Sequence, residues 1–118
     1  MDPRHQHRLK IVQELYSHSF IPDQTIDNYD KITKKVIKKA KTVNAEIEKF
    51  AAKFPIKRIA KVDLAILQLS IYELIIKKKE PPKVIINEAV ELAKELGGER
   101  SFAFINAVLG KIYHQYYE

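Results

Sequence analysis

The stretch VDLAILQLSIYELIIKKKEPPKVIINEAVELAKELGG (residues 62–98) decides the fold. Its first part sets Val62, Ala65, Ile66, Leu69, Tyr72 and Ile76 at three- and four-residue intervals, the period of one helix face. Its second part repeats the spacing with Ile85, Ala89, Leu92, Ala93 and Leu96. Between them stands Pro81-Pro82. The residue before each proline is driven out of the helical region, whereas proline at the first position of a helix sacrifices no hydrogen bond. Pro82 therefore opens a second helix at a sharp corner, and Gly97-Gly98 ends it.

The same period extends in both directions. Residues 5–18 put Leu9, Val12 and Tyr16 on one face with Ile11 and Leu15 beside them, and Pro22 breaks the pattern. A helix then begins at Thr25 or Asp27, either of which can cap it. Its stripe, Tyr29, Ile32, Val36, Ala40, Val43, Ile47, Phe50 and Phe54, spans roughly seven turns before Pro55. A last helix starts near Ser101 and carries Phe102, Ile105, Leu109, Ile112 and Tyr116. No Asn-Gly or Asp-Gly hairpin signal, internal repeat or low-complexity linker occurs. The reading is all-α: a compact helical bundle of about five to seven helices, five of them main ones, forming a single domain over residues 1–118.

Composition narrows the function. There is no cysteine, which excludes disulfides, thiolate metal sites and thiol nucleophiles. No apolar run reaches the roughly 18 residues of a membrane span, and MDPRHQHRLK lacks the apolar core of a signal peptide, so a cytoplasmic protein is expected. Glycine cradles for phosphate, GxSxG and HExxH are absent, so no catalytic residue, cofactor or metal site is assigned and no enzyme is expected. His5 and His7 lie two apart and do not share a helix face, which disfavours a metal pair.

Charge is asymmetric. Residues 1–60 hold 13 Lys/Arg against 7 Asp/Glu, while residues 61–118 are balanced at 8 each. The basic half suits an anionic partner, nucleic acid ahead of membrane, and equally suits plain solubility. Arg4, His5, His7, Arg8 and Lys10 crowd the start of the first helix. Guanidinium forks there fit phosphates and stack on bases, and a solvated terminus is the alternative. Lys34 and Lys38, with Lys35, Lys39 and Lys41 around them, either attract an RNA backbone or form the wet face of an amphipathic helix. Asn87 and Asn106 sit inside helices, where asparagine is a poor former; each either fixes one helix against its neighbour or contacts a ligand. Tyr72 and Glu73 lie near a helix exit, where they either meet a partner or are simply solvated, solvation being the default.

VDLAILQLSIYEL (62–74), PPKVIINEAVELAKELGG (81–98) and SFAFINAVLGKI (101–112), in this order and spacing, resemble the NusB transcription antitermination family. RHQHRLKIVQELYS (4–17) is similar to that family's arginine-rich first helix. The resemblance implies an all-α RNA-binding protein that pairs with ribosomal protein NusE on boxA-type single-stranded RNA, within an RNA polymerase antitermination complex that supports ribosomal RNA synthesis. It implies RNA contact at Arg4, His5 and Arg8, and a NusE-facing role for Tyr16 and Glu73. His7, Lys10, Lys34 and Lys38 join the RNA set on charge alone.

There are departures from the family pattern. Histidine and glutamine dilute the arginines, Ala107 and Gly110 replace a usual glycine and aspartate, the family's tryptophan is missing from KFPIKRIAKVD, and residues 20–57 look short. NusB-like domains also precede the catalytic domain of certain ribosomal RNA cytosine methyltransferases, but this chain lacks the glycine-rich cofactor loop and the cysteine of such an enzyme. The competing expectation is a helical interaction module, or a homodimer, without sequence-preferring RNA binding.

Overall fold

Each helix starts and stops for a local reason. In the computed structural model, which describes residues 2–51 and 53–118, Pro3 occupies the first turn of α1 (Pro3–Phe20) and the Asp2 carboxylate accepts from Arg4 N at 2.9 Å. α1 buries Ile11, Val12 and Leu15, while Tyr16, expected on the core stripe, is 41% exposed.

The next helix does not start at Thr25 or Asp27. Thr25 Oγ1 accepts only a long bond from Asp27 N at 3.4 Å, whereas the Asp30 carboxylate accepts from Ile32 N at 2.8 Å and caps α2 (Lys31–Lys38). Glu14 of α1 fixes that start by accepting from Asp30 N and Thr33 Oγ1 at 2.9 and 2.6 Å.

The single long helix expected from residue 25 to 54 is two helices. The chain bends at Lys39 (φ −97°, ψ 13°), whose N–H is shared between the carbonyls of Lys35 and Val36, and resumes as α3 (Ala40–Phe50). Neither proline nor glycine stands at the bend. Packing explains it: α2 lies on α1, while α3 lies on α4 and α6, and one straight rod does not serve both. The apolar stripe survives the turn, with Val36, Val43 and Ile47 at most 1% exposed.

After a 3₁₀ turn at Ile56–Arg58, α4 (Lys61–Ile71) runs through the centre and is apolar nearly all round, as a buried helix must be. It then widens into a π-helical turn, Tyr72–Lys77, closed by Lys78 in the left-handed region (φ 51°), whose N–H reaches Glu73 O at 2.9 Å. The wider turn buries Leu74 fully and leaves Ile76, the expected stripe residue, only half-buried.

α5 (Pro82–Leu96) opens on Pro82 and stops at Gly97, as the sequence predicts. A Cβ on Gly97 would fall 2.4 Å from Ser101 Oγ and 2.8 Å from Ala93 O, so the glycine permits the tight return into α6 (Ser101–Tyr117). The ends of the last stripe, Phe102 and Tyr116, are exposed rather than buried. The described residues thus form six α-helices and no strand, the all-α bundle that the sequence implies, around α4.

Candidate nucleic-acid interface

α1 lies against α4, so its polar residues 4, 5 and 8 meet the π turn, Glu80 in the connection after it, and Glu88 and Glu95 along α5. Arg8 is 7% exposed. Its Nε and Nη2 donate to the two carboxylate oxygens of Glu73 at 2.9 Å each, and Nη1 donates to Glu88 at 3.3 Å. Nη2 also pairs with Glu80. Burial alone would weaken the guanidinium's hold on its proton, but the hydrogen bonds and charges of Glu73 and Glu80 outweigh it and raise the pKa above the ordinary arginine value. A charge this deep is tolerable only when paired and fully hydrogen-bonded, and the bidentate fork supplies that.

This placement brings together two residues that the sequence reading treated separately. Arg8, assigned to RNA, and Glu73, assigned to a partner surface, face each other inside the bundle. The sequence contains a hint of it: Glu73 is a lone carboxylate in the apolar run LQLSIYELII, and such a group needs a buried partner. Which cation it takes cannot be read from spacing.

His5 is drawn into the same network, with Nδ1 3.3 Å from Glu88 Oε1 and Nε2 2.6 Å from Glu95 Oε1. Burial lowers its pKa, yet the two glutamates prevail and hold it above the usual histidine value. Arg4 stays out, its side chain 73% exposed and only 3.7 Å from Glu80 at the nearest approach. His7 points the other way and lies 2.8 Å from Asp30 Oδ2 with its side chain 49% exposed. Although burial pushes Asp30 upward, Ile32 N–H, His7 and Lys10 together hold its carboxyl below the ordinary value. Lys10 is exposed on that side, Lys38 is exposed and Lys34 is half-buried on α2. The five basic residues at the chain start thus divide into an anchor, His5 and Arg8, and an outer set, Arg4, His7 and Lys10.

Tyr16 and Phe20 stand edge-on with ring centroids 4.9 Å apart, both largely exposed, and Lys61 Nζ sits 5.1 Å from the Phe20 ring. They border an open groove of about 720 Å³ floored by Val12, Val62 and Leu96. Phe20 and Lys61 escaped the sequence reading because they stand at helix ends, Phe20 closing α1 and Lys61 opening α4, where burial or solvation was the plain reading.

Asn87 and Asn106 are both exposed and line one shallow groove between α5 and α6, of about 220 Å³, with Lys83, Gly110 and Tyr113. Tyr113 stacks on Tyr117 at 5.7 Å. Facing outward on adjacent helices, the two amides are available to a ligand. Among the described residues, no group of three or more His, Asp or Glu side chains is arranged to hold a metal ion. No helix there is long and apolar enough to cross a membrane.

Comparison with known proteins identifies the family and the fold. The sequence model of the NusB family matches residues 3–114. The chain is 49% identical over 81 residues to the transcription antitermination protein NusB of Acetivibrio thermocellus, a match covering 69% of this chain and 56% of that protein. The protein of that name from Clostridium botulinum (strain Loch Maree) is 40% identical over 97 residues, covering 82% of this chain and 69% of the relative. Against the Acetivibrio relative the match therefore spans little more than half of the longer protein. The solved structure of T. maritima NusB superposes with a TM-score of 0.86 at 28% identity, over 97% of this chain and 92% of that one.

Proposed function

The chain belongs to the NusB family, and from that premise we propose that it is a non-catalytic, RNA-binding antitermination factor of the cytoplasm. It binds boxA-type single-stranded RNA together with ribosomal protein NusE in an RNA polymerase antitermination complex. The observation that carries the RNA part is the division of the N-terminal basic cluster. His5 and Arg8 fix α1 in place through four glutamates, so Arg4, His7 and Lys10 are presented on a rigid helix instead of a frayed end. Lys34 and Lys38 carry positive charge along the neighbouring α2. Affinity then comes from phosphate neutralisation, and preference from unstacked bases meeting outward amides such as Asn87 and Asn106.

The NusE part is supported by the groove at Tyr16, where exposed aromatic rings flank an apolar floor. Glu73 serves that reading from within, through Arg8 and the seating of α1.

The test is binding of a boxA-like RNA and a scrambled RNA of equal length, with and without NusE, at two salt concentrations. Preference for boxA that grows with NusE is expected. Replacing Arg4 and Lys10 by Ala removes about two phosphate contacts and flattens the salt dependence by roughly 1.4 in log–log slope, at about 0.7 per contact for a single strand. An unchanged slope assigns the RNA surface elsewhere. Tyr16→Asp is expected to weaken NusE capture while leaving RNA binding without NusE intact. Self-association through the same groove is the competing outcome, and a mass that stays monomeric on concentration excludes it.

A further inference from the structure

At the end of the bundle away from the Arg8 cluster, a second groove of about 640 Å³ opens between the turn preceding α4 and the start of α6. Three features of its lining do not suit a surface that meets only water. Asp63 lies in it 8% exposed, with its Oδ1 lacking any hydrogen-bond partner while Ser101 serves the carboxyl from one side. Such an orphaned acceptor costs free energy unless a donor arrives. Burial accordingly holds the Asp63 pKa above the ordinary carboxylate value, against the opposing Ser101 hydrogen bond. Phe54 is 48% exposed and meets Phe104 edge-on at 5.6 Å, leaving a free aromatic face beside the acid. Arg58 and Arg100 stand exposed in the lining, and Arg100 precedes an α6 N-terminus that carries no side-chain cap and no acidic residue in its first turn. Two guanidiniums and uncapped helix amides attract an anion there.

We propose that this groove is a nucleotide pocket, taking one unpaired nucleotide whose base lies on Phe54, whose amino group donates to Asp63 Oδ1, and whose phosphate is held by Arg58 and Arg100 at the start of α6. Anionic end, aromatic body and N–H donor occur together in a nucleotide, and a volume of this size is ordinary for a small-molecule site. An acidic peptide would match the arginines as well. A main chain laid across the rim, however, does not reach an acceptor buried within the groove, whereas the edge of an inserted base does. Adenine, cytosine and guanine carry a projecting amino group, whereas uracil offers only its ring N3–H, set between two carbonyl oxygens that a carboxylate repels.

The test is titration of the ¹⁵N-labelled full chain with AMP, CMP, GMP, UMP and inorganic phosphate, read residue by residue. The three amino-bearing nucleotides are expected to shift amides around residues 58–63 and 98–104 and to bind about fivefold more tightly than UMP, the discrimination of a single hydrogen bond. Asp63→Ala, which removes the acceptor, is expected to erase that preference while the spectrum stays folded, and Arg58→Ala with Arg100→Ala to weaken all four nucleotides together. Equal shifts from all four nucleotides and from phosphate alone, or an unchanged base order in Asp63→Ala, overturn the proposal in favour of a bare anion site. No shift from any nucleotide at these positions overturns it outright, and saturable shifts there from a short acidic peptide titrated in parallel identify a peptide groove instead. Because shifts are read by position, failure here is distinguishable from failure of the α1 surface to bind RNA.

Discussion

Arg8 and Glu73, separated by 65 residues in sequence, meet as a bidentate pair at 2.9 Å in the interior of the bundle. Arginine from the helix that begins the chain thus neutralises a carboxylate from the π turn that ends its central helix. Breaking one partner of such a pair leaves an uncompensated buried charge. Arg8→Ala is therefore expected to destabilise the protein by about 3–5 kcal/mol in urea unfolding. Arg8→Lys falls between, since a point charge cannot form the fork. A surface role would leave stability unchanged, and that result would return Arg8 to the RNA set.

His5 makes stability depend on pH. Its folded pKa is raised above the unfolded value of 6.5, so its contribution is fully present below about that pH and is lost as pH rises through the folded value. His5→Gln is expected to cost about 0.5–1 kcal/mol in the acid half of that range and close to nothing well above it. The check is a set of unfolding curves for both proteins across the histidine range. A mutational cost independent of pH would mean that His5 acts by packing.

Asp63 runs the opposite way. A carboxyl raised above its unfolded value of 3.8 penalises the folded state once both forms are ionised, and the penalty fades as pH falls toward 3.8. Asp63→Asn is expected to raise the melting temperature at neutral pH, with the gain shrinking in acid. A lower melting temperature at neutral pH would show that the carboxylate is paired in solution.

Two neighbouring glycines separate cleanly. Gly97→Ala drives a Cβ into Ser101 Oγ and the Ala93 carbonyl and is expected to cost about 1–3 kcal/mol in thermal unfolding. Gly98→Ala meets nothing within 4 Å and stays within about 0.5 kcal/mol of the parent. Equal effects would place the tight approach elsewhere in the loop.

Where the sequence punctuates itself, the fold was legible in it. Pro82 and Gly97 bound α5 as expected, and the apolar period alone identifies an all-helical chain. The bend at Lys39 was illegible because no residue there breaks a helix; the demand comes from two different neighbours that α2 and α3 must cover. The π turn was illegible because Leu69, Tyr72 and Ile76 fit an ordinary helix equally well, and only packing reveals that Leu74 is the buried one. For the candidate interface, composition located the basic cluster but not its division. Charge says nothing about direction, and the glutamates that claim His5 and Arg8 lie more than sixty positions away. Asn87 and Asn106 were visible as misfits in helices, and their shared groove needed the crossing of α5 and α6 to appear.

The anchoring of α1 also has a consequence for the order of events during synthesis. A ribosome delivers Pro3–Phe20 before any of Glu73, Glu80 or Glu88 exists, so Arg8 emerges with no carboxylate of its cluster to meet. α1 is thus made before the carboxylates that seat it, and it waits in water until the π turn and α5 have followed it out. In the nascent chain the whole N-terminal row of arginines and histidines is exposed, and completion of the C-terminal half removes two of them from circulation.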